Sequence, residues 1–289
     1  MIYDVRHRTT YRYGGVVTRS DHRLSLAPRS TPHQQVRSFS LDVTPNVARL
    51  SPQLDYFGNA IHFLAVEEPH EVLTVEARSR VDVAGAPDPI GFDTVEMVVE
   101  AAARPSSPEA LEAAEFAFSS PYTKANDAIE DFARAVFAPD RPVMEAAREL
   151  TARIHDGFAY DPAATDAATT GIDAFVKRAG VCQDFSHIFL AACRSVGLPA
   201  RYVSGYILTR PPEGRERLVG ADASHAWVAV WSPVAGWVDF DPTNDMIPTE
   251  EHITTAWGLD YADVSPIRGV VLGGGDHLID LAVDVTPVL

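Results

Sequence analysis

The chain has 289 residues, 46% of them hydrophobic, and a formal charge of -16 from 24 basic and 40 acidic side chains. Such a length and apolar content suit two compact domains and exclude a disordered chain. The acidity falls mainly on residues 105–289, which carry 13 basic and 27 acidic side chains, and a surface of that sign disfavours nucleic acid and anionic membranes as partners.

The amino terminus, Met1-Ile2-Tyr3-Asp4-Val5-Arg6, has no apolar signal region, and no stretch approaches the roughly 18 apolar residues that span a bilayer, so the expectation is a cytoplasmic protein. The first hundred residues read as antiparallel strands. Tyr3 to Tyr11 alternates with a period of two, and 36–43 repeats the pattern with Arg37, Phe39, Leu41 and Val43 expected inward. In Asp55-Tyr56-Phe57-Gly58-Asn59-Ala60-Ile61-His62-Phe63 a Gly-Asn pair between aromatic and branched residues predicts a hairpin, and 71–83 supplies another strand. An exposed edge of this sheet would offer a second copy of the chain a strand to pair with, the route to a homo-oligomer.

The Pro/Ser break Arg104-Pro105-Ser106-Ser107-Pro108 marks a change of period, and the boundary is placed between residues 98 and 110. This gives an N-terminal β domain over 1–104 and a second domain over 105–289. Helical spacing begins at Pro108 through Leu111, Ala114, Glu115 and Phe118. It continues over 126–137 and over 142–157, where Val143, Ala147, Leu150 and Ile154 share a face. A loop from Tyr160-Asp161-Pro162 to Thr170 leads to a short helix with Ile172, Phe175 and Val176. A longer helix over 182–196 ends at Gly197-Leu198-Pro199. Strands follow at 201–207, 223–231 and 236–240, and 269–272 with 278–285 read as a hairpin about Gly273-Gly274-Gly275. Helices followed by sheet make the second domain, and the chain as a whole, α+β.

Three residues of the second domain form a chemical set. Cys182 opens its helix, where unsatisfied amides and the helix dipole favour a thiolate. His225 lies among aromatics in Ser224-His225-Ala226-Trp227-Val228, and Asp241 ends a strand in Trp237-Val238-Asp239-Phe240-Asp241-Pro242-Thr243. Nucleophile, base and orienter in this form serve acyl transfer. Asp239 shares a strand face with Asp241 and competes as the orienter; Pro242, which ends the strand there, favours Asp241. Gln183 offers a backbone N–H to an oxyanion, Asp184 points away from the cleft and fixes the loop before the helix, and Tyr160 and Trp227 line or support the cleft.

His187, about 140° round the helix from Cys182, belongs to a core or inter-element hydrogen bond instead. Cys193 reads as a core residue, and at about 16 Å from Cys182 along one helix it cannot form a disulfide with it. No histidine pair has metal-ligand spacing, the cysteines form no CxxC, and the glycine run lacks a following Lys-Ser/Thr. No metal and no cofactor are expected.

These phrases resemble the bacterial transglutaminase-like family. Gly180-Val181-Cys182-Gln183-Asp184-Phe185-Ser186-His187 is similar to its cysteine motif, Ser224-His225-Ala226-Trp227 to its histidine motif, and Asp239-Phe240-Asp241-Pro242-Thr243-Asn244 to its aspartate motif. Gly258-Leu259-Asp260-Tyr261-Ala262-Asp263-Val264-Ser265-Pro266 resembles the family's tail, with Leu259 where arginine is often found, and residues 1 to about 83 resemble its N-terminal region. The resemblance implies a papain-like Cys-His-Asp core acting on a peptide or protein substrate. Members include peptidases or amidases, protein crosslinkers that transfer an amine, and proteins without demonstrated activity. The favoured reading is hydrolysis of peptide or amide bonds through a thioester, because no feature builds a dry amine tunnel. Amine transfer and a noncatalytic binding module are the alternatives.

Overall fold

A computed structural model of the chain describes residues 1–85, 91–209 and 223–288. Its first sheet is built on one long strand, β1 (Ile2–Leu24), with β2 (Gln34–Thr44), β3 (Arg49–Leu54), β4 (Ala60–Val66) and β5 (His70–Val83). The order is β2-β5-β1-β4-β3. The Gly-Asn turn forms as expected, with Gly58 at φ +72° between β3 and β4. In β2 the alternation slips at a bulge between Val36 and Ser38. Phe39, Leu41 and Val43 therefore face the core side, whereas Arg37, expected inward with them, is exposed.

The helical part begins before the Pro/Ser break. Helix α1 (Val95–Ala103) is capped by Thr94, whose hydroxyl accepts from the Met97 N–H, and the break is the turn into α2 (Pro108–Glu115). On α2 the small residues Ala110 and Ala113 are buried and Leu111 faces solvent. Helix α3 (Asp127–Arg134) and helix α4 (Val143–Gly157) follow, and α4 buries Val143, Ala147, Leu150 and Ile154, the face expected from its spacing. Next come β6 (Ala159–Tyr160), α5 (Gly171–Lys177), β7 (Ala179–Gly180) and α6 (Cys182–Ser195). Every residue of α6 from Asp184 to Arg194 is buried, so this helix is the axis of the second domain. Against it lies an antiparallel sheet of β8 (Ala200–Ile207), β9 (Ala223–Ser232), β10 (Gly236–Phe240) and β11 (His252–Gly258), in the order β10-β9-β8-β11.

After the short α7 (Tyr261–Val264), the chain returns to the first sheet. Strands β12 (Ile267–Gly273) and β13 (His277–Val288) both pair with β1. This corrects two expectations: residues 267–288 are not part of the second domain's sheet, and the glycine run does not close a hairpin. Gly273, Gly274 and Gly275 all have positive φ, at 96°, 82° and 64°, a conformation that glycine adopts without a Cβ penalty. They bend β12 into β13 opposite Gly14 and Gly15, so the two strands follow β1 round its own bend, with Gly14 N–H donating to Asp276 O at 2.7 Å.

The two domains share a buried cluster: Tyr3, Val5, Val81 and Val83 of the first sheet and Val283 and Val285 of β13 pack with Tyr206 and Ile253 of the second. Each large apolar side chain buried there contributes about 1.5–3 kcal/mol, which fastens the two sheets together at this point. The edge of β11 is closed by side chains of the first domain. Gln34 exchanges hydrogen bonds with Thr254 N–H and C=O at 2.8 and 2.7 Å, and Asn59 does the same with Trp257 at 3.0 and 2.8 Å.

Candidate active site

Cys182 is the first residue of α6 and is half-buried. The start of that helix is held by Asp184, whose buried carboxylate accepts from the Val181 N–H at 2.8 Å and the Thr165 hydroxyl at 2.6 Å. Burial raises its carboxyl despite those bonds. Gly180 makes the arrangement possible, because a Cβ there would lie 2.7 Å from Asp184 Cβ. Asp184 thus fixes the loop before the helix through these bonds. Gln183 bonds through its side chain to Ala167 O at 3.2 Å. That leaves the backbone N–H groups of Cys182 and Gln183 in the first turn, where helical geometry supplies no acceptor.

Tyr160 is brought to the site by the parallel pairing of β6 with β7, opposite Gly180. It is 59% exposed, and burial followed by the charge of Cys182 raises its phenol. Tyr202 on β8, fully covered, is raised much further, first by burial and next by Cys182. One aromatic wall therefore faces solvent and the other is inside.

His225 and Asp241 come together because β9 and β10 are antiparallel neighbours, with Phe240 opposite Val228 as the last pair before Asp241. Beyond Phe240 the chain turns through Pro242 and closes on itself, Asp241 N–H donating to Met246 O at 2.8 Å. His225 Nε2 is 2.7 Å from Asp241 Oδ2. Oδ2 also accepts from Asn244 Nδ2 at 2.7 Å and His252 Nε2 at 3.1 Å, and Oδ1 accepts from the Thr243 and Asn244 N–H groups at 2.9 and 3.2 Å. Burial opposes this charge, but the donors outweigh it and hold the Asp241 carboxyl well below the usual range.

The imidazole of His225 is itself buried, which by itself favours the neutral ring. The hydrogen bond to Asp241 and the neighbouring Cys182 thiol reverse that and raise it to about 10. Asp239 plays another part: its carboxylate accepts from Trp227 Nε1–H at 3.2 Å, and burial raises it against the charge of Arg201. Trp227 is wholly buried and supports the site from behind, its ring 6.0 Å from that of His225.

His187 donates nothing to the cleft; its Nε2 accepts from Tyr261 N–H at 3.3 Å, and burial pushes its ring down to about 3. Cys193 is fully buried and burial raises its thiol strongly. The residue that the sequence reading missed is His252. Its strand, His252-Ile253-Thr254-Thr255-Ala256-Trp257, is rich in branched and aromatic residues and could have been read as β, but nothing local connects it to Asp241.

His225, Asp241 and His252 each bring a ligand-type atom within 4.8 Å of the others. The two nitrogens stand 2.7 and 3.1 Å from the same oxygen, whereas ligands of one tetrahedral zinc are about 3.4 Å apart at bonds of about 2.1 Å. The set is arranged for hydrogen bonding.

Comparison with known proteins shows the family and the fold. Residues 3–82 match the bacterial transglutaminase-like N-terminal region and residues 130–242 the transglutaminase-like superfamily. An uncharacterized protein of Mycobacterium tuberculosis (strain H37Rv) is 39% identical over 292 aligned positions, covering 99% of this chain and 92% of that protein. The chain belongs to the transglutaminase-like superfamily. Within that superfamily, a protein-glutamine gamma-glutamyltransferase of Pseudomonas aeruginosa is 38% identical over 126 positions, 39% of this chain and 19% of that protein. The fold matches the crystal structure of a candidate cysteine protease from Cytophaga hutchinsonii with a TM-score of 0.76, 21% identity, and coverage of 100% of this chain and 91% of that one. No helix among the described residues is long and apolar enough to cross a membrane.

Proposed function

We propose that this transglutaminase-like protein is a cysteine enzyme that cleaves peptide or amide bonds through Cys182, His225 and Asp241. The observation that carries the reading is the setting of His225: a buried imidazole hydrogen-bonds the Asp241 carboxylate, and the Cys182 thiol at the start of α6 is among the groups that act on its charge. An imidazole held beside a helix-start thiol supplies the proton carrier that a sulfur nucleophile needs for acyl transfer.

The Cys182 thiolate adds to the substrate carbonyl carbon, and the oxyanion takes hydrogen bonds from the first-turn N–H groups, that of Gln183 among them. Imidazolium His225 gives its proton to the leaving amine as the C–N bond breaks, leaving a thioester on Cys182. Water then loses a proton to His225 and adds to the thioester carbonyl. Collapse releases the carboxylic acid and restores the thiolate–imidazolium pair. Asp241 holds the ring's orientation and charge throughout. Tyr160, exposed at the mouth, offers a surface for an extended peptide. A reducing, cytoplasmic setting suits such a free thiol.

The second reading, amine transfer, is favoured by the similarity of the core to the Pseudomonas aeruginosa gamma-glutamyltransferase. It differs only in the group that resolves the thioester. Mass spectrometry of a peptide library incubated with and without a primary amine separates the two. Cleavage or deamidation supports hydrolysis, an amine adduct supports transfer, and neither product, with Cys182→Ala indistinguishable from the intact protein, refutes both.

A further inference from the structure

Asp241 holds one hydrogen bond that a three-residue mechanism does not require. His252, buried at the start of β11, sets Nε2 3.1 Å from Asp241 Oδ2. Its ring stands edge-on to Trp227 at 5.2 Å and lies 5.9 Å from the ring of His225. Its other nitrogen, Nδ1, is buried with no hydrogen-bond partner. The carboxylate is therefore the ring's hydrogen-bonding partner, and the orphan nitrogen is a desolvated polar atom with no bond to offset the cost of its burial. An apolar side chain of similar volume would fill the space without that cost.

The strand that carries His252 is fixed along both edges. β8 pairs with one edge, and on the other the buried amides of Gln34 and Asn59 take the place of a neighbouring strand at Thr254 and Trp257. The N-terminal sheet is thereby connected to Asp241 through β11, in two steps of hydrogen bonding.

We propose that His252 is a positioning residue: by donating Nε2–H to Asp241 Oδ2 it keeps the carboxylate in the orientation that turns His225 toward Cys182, and the N-terminal sheet holds it there through Gln34 and Asn59. The proposal rests on the thiol-enzyme reading above and adds a fourth side chain to it. The titratable groups that face His252 are His225 and Asp241, with Asp239 on β10 within reach of its charge.

The test is the rate of Cys182 alkylation by iodoacetamide in the full-length protein as a function of pH. In His252→Phe, which has no donor, the rate at about pH 6 falls at least tenfold and the profile moves toward that of a free thiol near about 8.5. His252→Gln, which keeps an amide donor, stays within about threefold of the intact protein with its profile in place. A His252→Phe protein that melts at lower temperature but keeps the original pH profile overturns the proposal, since that is what a purely structural histidine would do. Should that variant not fold, nitrogen-15 spectra of the histidines in the intact protein decide: a ring proton of His252 on Nε2 is expected, and one on Nδ1 overturns the proposal. An intact protein whose Cys182 reacts no faster than a free thiol defeats the thiol-enzyme reading itself, and this proposal with it.

Discussion

His225 presents Nε2 to Asp241 Oδ2 at 2.7 Å, the bond that orients its ring in the site. The ring is thus held by the atom furthest from its backbone. Because β9 and β10 are adjacent and α6 packs on β9, Cys182 and His225 lie in regular structure, and Asp241, one residue past β10, is held by its bridge to Met246. Positions set in this way need little reorganisation during reaction.

Thiol reactivity follows directly. Iodoacetamide is expected to label Cys182 at least about a hundredfold faster than Cys193, because burial raises the Cys193 thiol and excludes the reagent. Peptide mapping after timed labelling checks it; comparable slow labelling of both cysteines contradicts a primed nucleophile.

The two aspartates should separate cleanly. Asp241→Asn places an amide among donors that now converge on Oδ2, and a loss of about 10²- to 10⁴-fold in turnover is expected. Asp239→Asn removes charge from the bond to Trp227 Nε1 but leaves His225 and Asp241 paired, so labelling of Cys182 should change by less than about threefold. Parallel alkylation rates on the two variants decide between them, and the reverse ranking would make Asp239 the orienter.

Stability should depend on pH through His225. Its ring is raised from 6.5 to about 10 in the folded chain, so between those values the native state holds a proton that the unfolded chain has released. The contribution is fully present below about 6.5 and is lost as pH rises through about 10. Urea melts across that window should show falling stability, and His225→Gln should flatten the slope. Asp241 acts in the opposite direction: its depressed carboxyl stabilises above 3.8, and that support is lost as pH falls through the folded value.

The β11 clamp should be a stability element in its own right. Asn59→Ala leaves the Trp257 N–H and C=O without their partner, at a cost of about 2–4 kcal/mol. Differential scanning calorimetry should record a lower melting temperature for Asn59→Ala and for Gln34→Leu; unchanged melting in both would mean that solvent replaces these bonds freely.

Much of this molecule is legible in its residues one segment at a time. Alternation marks β1 and β5, the Gly58-Asn59 turn marks the β3–β4 connection, and the face of α4 is readable from Val143, Ala147, Leu150 and Ile154, since each depends on near neighbours in the chain. Cys182, His225 and Asp241 are readable for a similar reason: a helix start, a strand and a strand end each leave a local imprint. Local pattern failed where partners are distant. The helix α1 before the Pro/Ser break, the exposed Arg37 after the β2 bulge and the return of 267–288 to the first sheet all turn on what packs beside them.

The sequence by itself determined most element types and the family resemblance, and singled out Cys182, His225 and Asp241 as candidates, because short-range periodicity and motif spacing are properties of consecutive residues. Only the tertiary structure decided that Asp241 and not Asp239 meets His225, that β12 and β13 follow the bend of β1, and that His252 stands on the same carboxylate. Those outcomes depend on strand register and on hydrogen bonds between residues tens to hundreds of positions apart, and a one-residue change of register would send each side chain to the opposite face.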